Sequence, residues 1–236
     1  VRFFPGFHCL ADVIHLDAAF ISVNRFYDRV SGFDVGDWIA DSGAFTTVTK
    51  HGGYPHPVKR HADVIKRYAN NGNLLIAVAE DWMCEEDALA KTGKTVAEHQ
   101  RLTIDRFDRL RDCDTGGVPI MPVLQGWTMG DYADHVEAYG DRLAEGAWVG
   151  VGSVCKRNKW PIKILRILDA IHQVRPDLKL HGFGLKGEAL MWQPLRDQLH
   201  TADSFAWSFA ARRQGRDRNS WREAKAFADA IAAGGD

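Results

Sequence analysis

Four cysteines occur in 236 residues, Cys9, Cys84, Cys113 and Cys155, and no two of them stand in C-x-x-C or zinc-ribbon spacing. A structural zinc site is therefore not expected. With no secretory leader ahead of the cysteines, the expectation is reduced thiols in a cytoplasm rather than a disulfide framework. The sequence has no apolar run near the ~18–20 residues a membrane span needs, so no membrane partner is expected. Excess charge is missing too: 30 Lys and Arg face 31 Asp and Glu, for a formal net charge of -1. Long-range attraction to nucleic acid therefore has to come from local patches. There is no internal repeat, low-complexity tract or dividing linker, and the whole of 1–236 reads as a single domain.

What is present is 45% apolar residues in a regular alternation. Short β-branched or apolar runs at 2–8, 19–25, 37–42, 74–80, 119–125, 148–153, 178–184 and 202–207 read as strands. Amphipathic stretches near 57–71, 94–112, 130–144, 160–175, 187–199 and 218–233 read as helices. The strands are near-continuous apolar runs, as expected of a parallel sheet covered on both faces. Eight such units in this length predict an α/β fold of the (β/α)8 TIM-barrel class, with a doubly wound open sheet as the alternative. The barrel makes a demand on the sequence: polar residues should gather at the carboxyl ends of strands. His8, Asn24, Asp41, Asp81, Gln125, Gly152 with Ser153, His181 with Gly184, and Asp203 all stand there.

Three carboxylates closing apolar runs, Asp41, Asp81 and Asp203, are expected to be desolvated and to push one another's pKa values apart, which suits acid/base or nucleophilic work at a glycosidic bond. For Asp41 in "DSGAF" and Asp203 in "DSFAWSFAARR" the competing reading is a helix cap or Asx turn. Gln125 donates and accepts in one plane, as the amide-like edge of a heterocycle requires, or is simply a loop residue. "GVGSV" lets backbone approach a ligand, and "HGFGLK" reads either as a phosphate-approach loop or as a strand end whose His is core or rim.

Taken together these segments resemble the tRNA-guanine transglycosylase superfamily. "DSGAF" is similar to its "DSGGF/Y" motif, "AVAEDWMC" to its base-recognition strand, "VLQG" to "VQG", and "GVGSV" stands where "GGLAV" is found. "DSFAWSFAAR" matches the archaeal-type nucleophile segment without a gap. The resemblance covers about residues 37–212. The Cys/Cys/Cys/His zinc insertion is missing, Ala44 replaces a glycine, and Lys156-Arg157 stand where bacterial tRNA enzymes carry an acid. This short, zinc-free form most resembles the DpdA-type enzymes of phages and bacteria, which place 7-deazaguanine bases in DNA.

The resemblance implies double displacement at C1′, with Asp203 as nucleophile and Asp41 as acid/base. Asp81, Gln125, and the Gly152 or Ser153 backbone would address the base, and Phe45 and His181 would sandwich it. No metal and no cofactor are implied. The implied partners are DNA or, as the alternative, tRNA, and a free 7-deazaguanine base. Lys156 and Arg157 favour a neutral substituent such as that of 7-cyano-7-deazaguanine. An accessory ATPase or helicase, a monomeric state and a cytoplasmic setting in a bacterium or a phage-infected host complete the expectation. Lys156, Arg157, Lys159 and Lys163 after the sixth strand, with Arg212, Arg213, Arg216 and Arg218 after the eighth, would hold phosphates. Trp82, Trp127, Trp160 and Trp207 either stack splayed bases or pack conventionally. A non-catalytic nucleic-acid-binding partner and a retaining glycosidase are the readings from other classes.

Overall fold

Each predicted apolar run forms a strand in the computed structural model, which describes residues 1–234. The last two positions of the expected 1–236 domain lie outside the described residues. In chain order the strands are β1 (Arg2–Pro5), β2 (Ala18–Ser22), β3 (Asp37–Asp41), β4 (Asn73–Val78), β5 (Ile120–Met121), β6 (Val123–Leu124), β7 (Trp148–Val151), β8 (Lys179–Gly182) and β9 (Thr201–Ser204). Every pairing is parallel. The strands form two sheets, in the orders β1-β9-β8-β7-β6 and β2-β3-β4-β5.

The fifth predicted strand is thus two. Pro122 has no N–H to give to a ladder, and it separates β5, which pairs with β4, from β6, which pairs with β7. The Met121 carbonyl accepts from Ala79 N–H and the Pro122 carbonyl from Gly150 N–H, at 3.0 and 2.9 Å, so adjacent carbonyls face opposite neighbours. At the other junction, β1 meets β2 through one parallel bridge, Gly6 to Phe20, where Phe7 N–H donates to the Phe20 carbonyl at 3.0 Å.

The helices are α1 (Ala44–His51), α2 (Val58–Tyr68), α3 (Glu86–Thr92), α4 (Val96–Arg111), α5 (Met129–Tyr139), α6 (Pro161–Val174), α7 (Gly187–Leu190), α8 (Gln193–Asp197), α9 (Ala206–Arg213) and α10 (Trp221–Ala233). Sequence periodicity missed α1, α3 and α9, each of eight residues or fewer. It also read 187–199 as one helix where there are two, because Pro194 sits in the first turn of α8 and starts a new one. In α2, Val58, His61, Ala62, Val64, Ile65 and Tyr68 turn inward while Lys59 and Lys66 face water, as expected of an amphipathic stretch.

Apolar burial falls into two main layers. One cluster, Phe4, Phe20, Ile39, Ile76, Val78, Met121 and Val123, draws on strands of both sheets. The other lies between strands and helices, with Ile21, Ala40, Leu124 and Leu180 against Ile65, Tyr132, Ile167 and Ile171. Covered on both faces, the strands deliver their carboxyl ends to one side, where the polar residues stand. Among the described residues no helix is long and apolar enough to cross a membrane.

Candidate active site

Asp41 ends β3 and Asp203 stands one residue before the end of β9, each is followed by serine, and in both segments the serine hydroxyl accepts from the first turn of the helix. After β3, Ser42 Oγ accepts from Ala44 N–H at 3.3 Å, and after β9, Ser204 Oγ accepts from Ala206 N–H at 3.1 Å. Neither Asp41 nor Asp203 caps a helix. Gly43 makes the turn after Asp41 possible: its φ is +70°, and a Cβ there would lie 2.3 Å from Asn24 Nδ2. Asn24 in turn donates to the Gly43 carbonyl at 3.3 Å.

Asp203 is buried and asymmetrically held. Its Oδ1 accepts from Gly184 N–H at 2.9 Å and lies 3.4 Å from His181 Nε2, while Oδ2 accepts no hydrogen bond among the described residues and is not a sealed, orphaned atom. One oxygen is fixed and the other is open. His181, given a stacking role by the family resemblance, lies inside the protein rather than at an open face. It is fully buried, stacks on Phe20 at 5.4 Å, meets Phe183 edge-on, and has Nδ1 2.8 Å from Thr201 Oγ1. The cause is register: β8 turns its ring into the apolar layer beneath Asp203. The glycine loop after β8 likewise serves Asp203 through the Gly184 N–H.

Asp81, just beyond β4, is buried and accepts from Ser42 Oγ at 3.2 Å and from Gln125 Nε2. Gln125 is fully buried, and its Oε1 accepts from Ser153 Oγ at 2.7 Å. Ser153 Oγ also lies 2.9 Å from Glu85 Oε2 and accepts from Cys84 N–H at 2.9 Å. Gly152 is required by this packing, since a Cβ would stand 2.2 Å from Gln125 Nε2. Its backbone, proposed from sequence to address the base, is already committed: the N–H donates to Leu124 and the carbonyl accepts from Tyr132 Oη. Ser153 is the one non-glycine residue at positive φ among the described residues, at 55°. It alone of the pair has a backbone N–H with no partner among the described residues. Glu85 was not singled out from sequence, because nothing local in "CEED" signals its burial.

The electrostatics follow from crowding acids away from water. Burial raises Asp41 to about 7, with the charges of Asp203 and then Asp81 adding to it and the Gly43 N–H and Ser22 hydroxyl opposing. Burial raises Asp81 to about 6, against the Gln125 and Ser42 hydrogen bonds. Burial also raises Glu80 to about 7 despite its buried pairing with Arg106. An acid that changes charge near neutrality beside a carboxylate with one open oxygen is an arrangement for proton transfer coupled to nucleophilic attack.

Around these groups lies an exposed rim. Phe45, in the first turn of α1, is 59% exposed and Phe209 on α9 is 66% exposed. Trp127 and Trp160 are exposed beneath cations, Arg157 at 4.1 Å and Lys163 at 4.7 Å. Trp82 and Trp207 are instead interior: Trp82 packs on Tyr54 and His99, and Trp207 stacks on Phe7 and donates to the Gly6 carbonyl at 2.9 Å. Of the expected phosphate ligands, Lys159, Arg212, Arg213 and Arg218 stand in water. Lys156 pairs with Asp87 at 2.8 Å, Arg157 donates to the Trp127 carbonyl, and Arg216 pairs with Glu223 at 2.9 Å.

A family model described as DpdA, DeoxyPurine in DNA protein A, matches residues 18–221, and the chain belongs to that family. No curated protein matches the chain.

Proposed function

We propose that this member of the DpdA family exchanges guanine in DNA for a 7-deazaguanine base, 7-cyano-7-deazaguanine above others, by double displacement at C1′. Asp203 Oδ2 attacks C1′ and the glycosidic C–N bond breaks. Asp41 gives its proton to the departing guanine. The incoming base then loses its N9 proton to Asp41, and its nitrogen attacks C1′, breaking the sugar–Asp203 ester and restoring both carboxyls. No metal or cofactor enters this scheme. Asp81, Gln125 and the Ser153 N–H form the base pocket, with Phe45 as a stacking face.

The single observation that carries the reading is the pairing of a half-held carboxylate, Asp203, with an acid raised to about 7, Asp41. A general acid/base working near neutral pH needs such a value. The two sheets read most simply as arcs of one (β/α)8 barrel forming a single domain. Two features support this: the Gly6–Phe20 bridge at one junction, and the strand interrupted only at Pro122 at the other. The rim suits an acceptor whose target base has left the stack, with Lys159, Arg212 and Arg213 on phosphates and Trp127 and Trp160 against flanking bases.

The test is incorporation of radiolabelled 7-cyano-7-deazaguanine into duplex DNA, single-stranded DNA and unmodified tRNA, with Asp203→Asn alongside. Label in DNA from wild type alone is the expected result. Label in tRNA only would make this a tRNA enzyme. Label in single strands but not duplex would call for a strand-opening ATPase or helicase, and no label in any acceptor, with protein that is folded, would reject base exchange by this chain alone.

A further inference from the structure

The Ser153 hydroxyl is the centre of a hydrogen-bond count that closes only when two carboxyls hold one proton between them. It has one proton and two lone pairs. Cys84 N–H takes one lone pair at 2.9 Å. Its two remaining neighbours are both acceptors when ionised or in the orientation seen: Gln125 Oε1 at 2.7 Å and Glu85 Oε2 at 2.9 Å. One proton cannot serve both. If Ser153 donates to Gln125, Glu85 must carry a proton and donate to Ser153. Gln125 Nε2 then donates to Asp81, which stays ionised. If Ser153 donates to Glu85 instead, the Gln125 amide must turn over, donate to Ser153, and accept from a protonated Asp81. Both satisfied arrangements hold one proton among the two carboxyls, at opposite ends of the same chain. Glu85, Gln125, Ser153 and Asp81 are all buried, so a miscounted bond cannot be made good by water.

We propose that Asp81 and Glu85 share a single proton through Ser153 and Gln125, and that Glu85 is thereby a positioning residue, fixing which edge of the Gln125 amide faces Asp81. The proposal rests on the base-exchange reading for its consequence. With the proton on Glu85, Asp81 is a carboxylate and accepts from the N1–H and exocyclic amine of a guanine-type base. With the proton on Asp81, that edge is lost. A bound base selects the first arrangement, so recognition is coupled to proton position at Glu85 without Glu85 touching the base. Other charged and polar groups face the pair. Asp81 faces Asp41, Glu80 with Arg106, and Tyr54, whose hydroxyl donates to the Asp81 carbonyl. Glu85 faces Cys84, Cys155 and Lys156, the last paired with Asp87.

Two variants and two readouts test this. Glu85→Gln supplies a permanent N–H to Ser153 and removes the shared proton. Ser153→Gly, which the left-handed backbone accepts, cuts the chain. In equilibrium dialysis with labelled guanine, wild type should gain up to about tenfold in affinity toward alkaline pH, or about 1.4 kcal/mol, as the proton that can occupy Asp81 leaves. Glu85→Gln should lack that step, and Ser153→Gly should be weakened by a similar factor at every pH. The infrared spectrum of base-free wild type minus Glu85→Gln should contain a protonated-carboxyl band. Coincident wild-type and Glu85→Gln binding profiles, with no such band, would overturn the shared proton while leaving base exchange intact. Guanine binding absent from wild type would overturn the base-exchange reading and the recognition role of Glu85 together, the infrared band then standing or falling by itself.

Discussion

Replacing Asp41 by Asn should stabilise the fold while abolishing exchange, and the stabilisation should depend on pH in a fixed sense. In the folded protein Asp41 keeps its proton up to about pH 7, whereas in the unfolded chain it releases it near the ordinary 3.8. Between those values unfolding releases a proton, so the folded state loses about 1.4 kcal/mol for each unit by which pH rises. The cost is absent below 3.8 and complete above about 7. Roughly three pH units give a ceiling of about 4 kcal/mol. The Asn amide does not reproduce every bond to Gly43 and Ser22, and the neighbouring acids Asp203 and Asp81 relax once one charge is gone, so about 2 kcal/mol is expected at pH 8. Urea unfolding of wild type and Asp41→Asn from pH 4 to 8.5 measures it. The two curves should converge at the acid end and separate steadily to neutrality. A variant that is less stable than wild type at pH 8, by the ~1 kcal/mol typical of a lost cap, would refute the reasoning and return Asp41 to a structural role.

Gly152→Ala should cost about 2–4 kcal/mol and weaken base binding, because the new Cβ meets a Gln125 side chain held at both ends. Gly130→Ala is the matched control: its Cβ meets nothing closer than 3.8 Å on α5, and stability should rise by up to ~1 kcal/mol. Equal effects at the two positions in denaturant unfolding would contradict the packing at Gly152. At the rim, Trp127→Ala and Trp160→Ala should each weaken single-stranded DNA by about 1–3 kcal/mol and leave its salt dependence alone. Arg212→Ala and Arg213→Ala should each flatten the slope of log affinity against log salt by about 0.7. Fluorescence anisotropy over a salt series separates them, and the reverse pattern would show that stacking and phosphate contact have been assigned to the wrong residues.

The sequence by itself determined where the eight apolar runs lie and which polar residues stand near their carboxyl ends, though not that Pro122 splits the fifth run in two. Parallel strands buried on both faces must be apolar along their whole length, so a polar residue can enter only where the strand ends. Asp41, Asp81, Gln125 and Asp203 were legible for that reason. Tertiary structure decided what each of them does. Whether Asp41 caps a helix depended on Ser42 reaching Ala44 first, and the burial of His181 depended on β8 placing its ring against Phe20 and Asp203. Glu85 was illegible because its partner Ser153 is 68 positions away, and burial of an acidic run is fixed by what folds over it. Apolar period and strand ends are local properties written along the chain. Hydrogen-bond partners and shared protons belong to side chains that meet only when the sheets close around them.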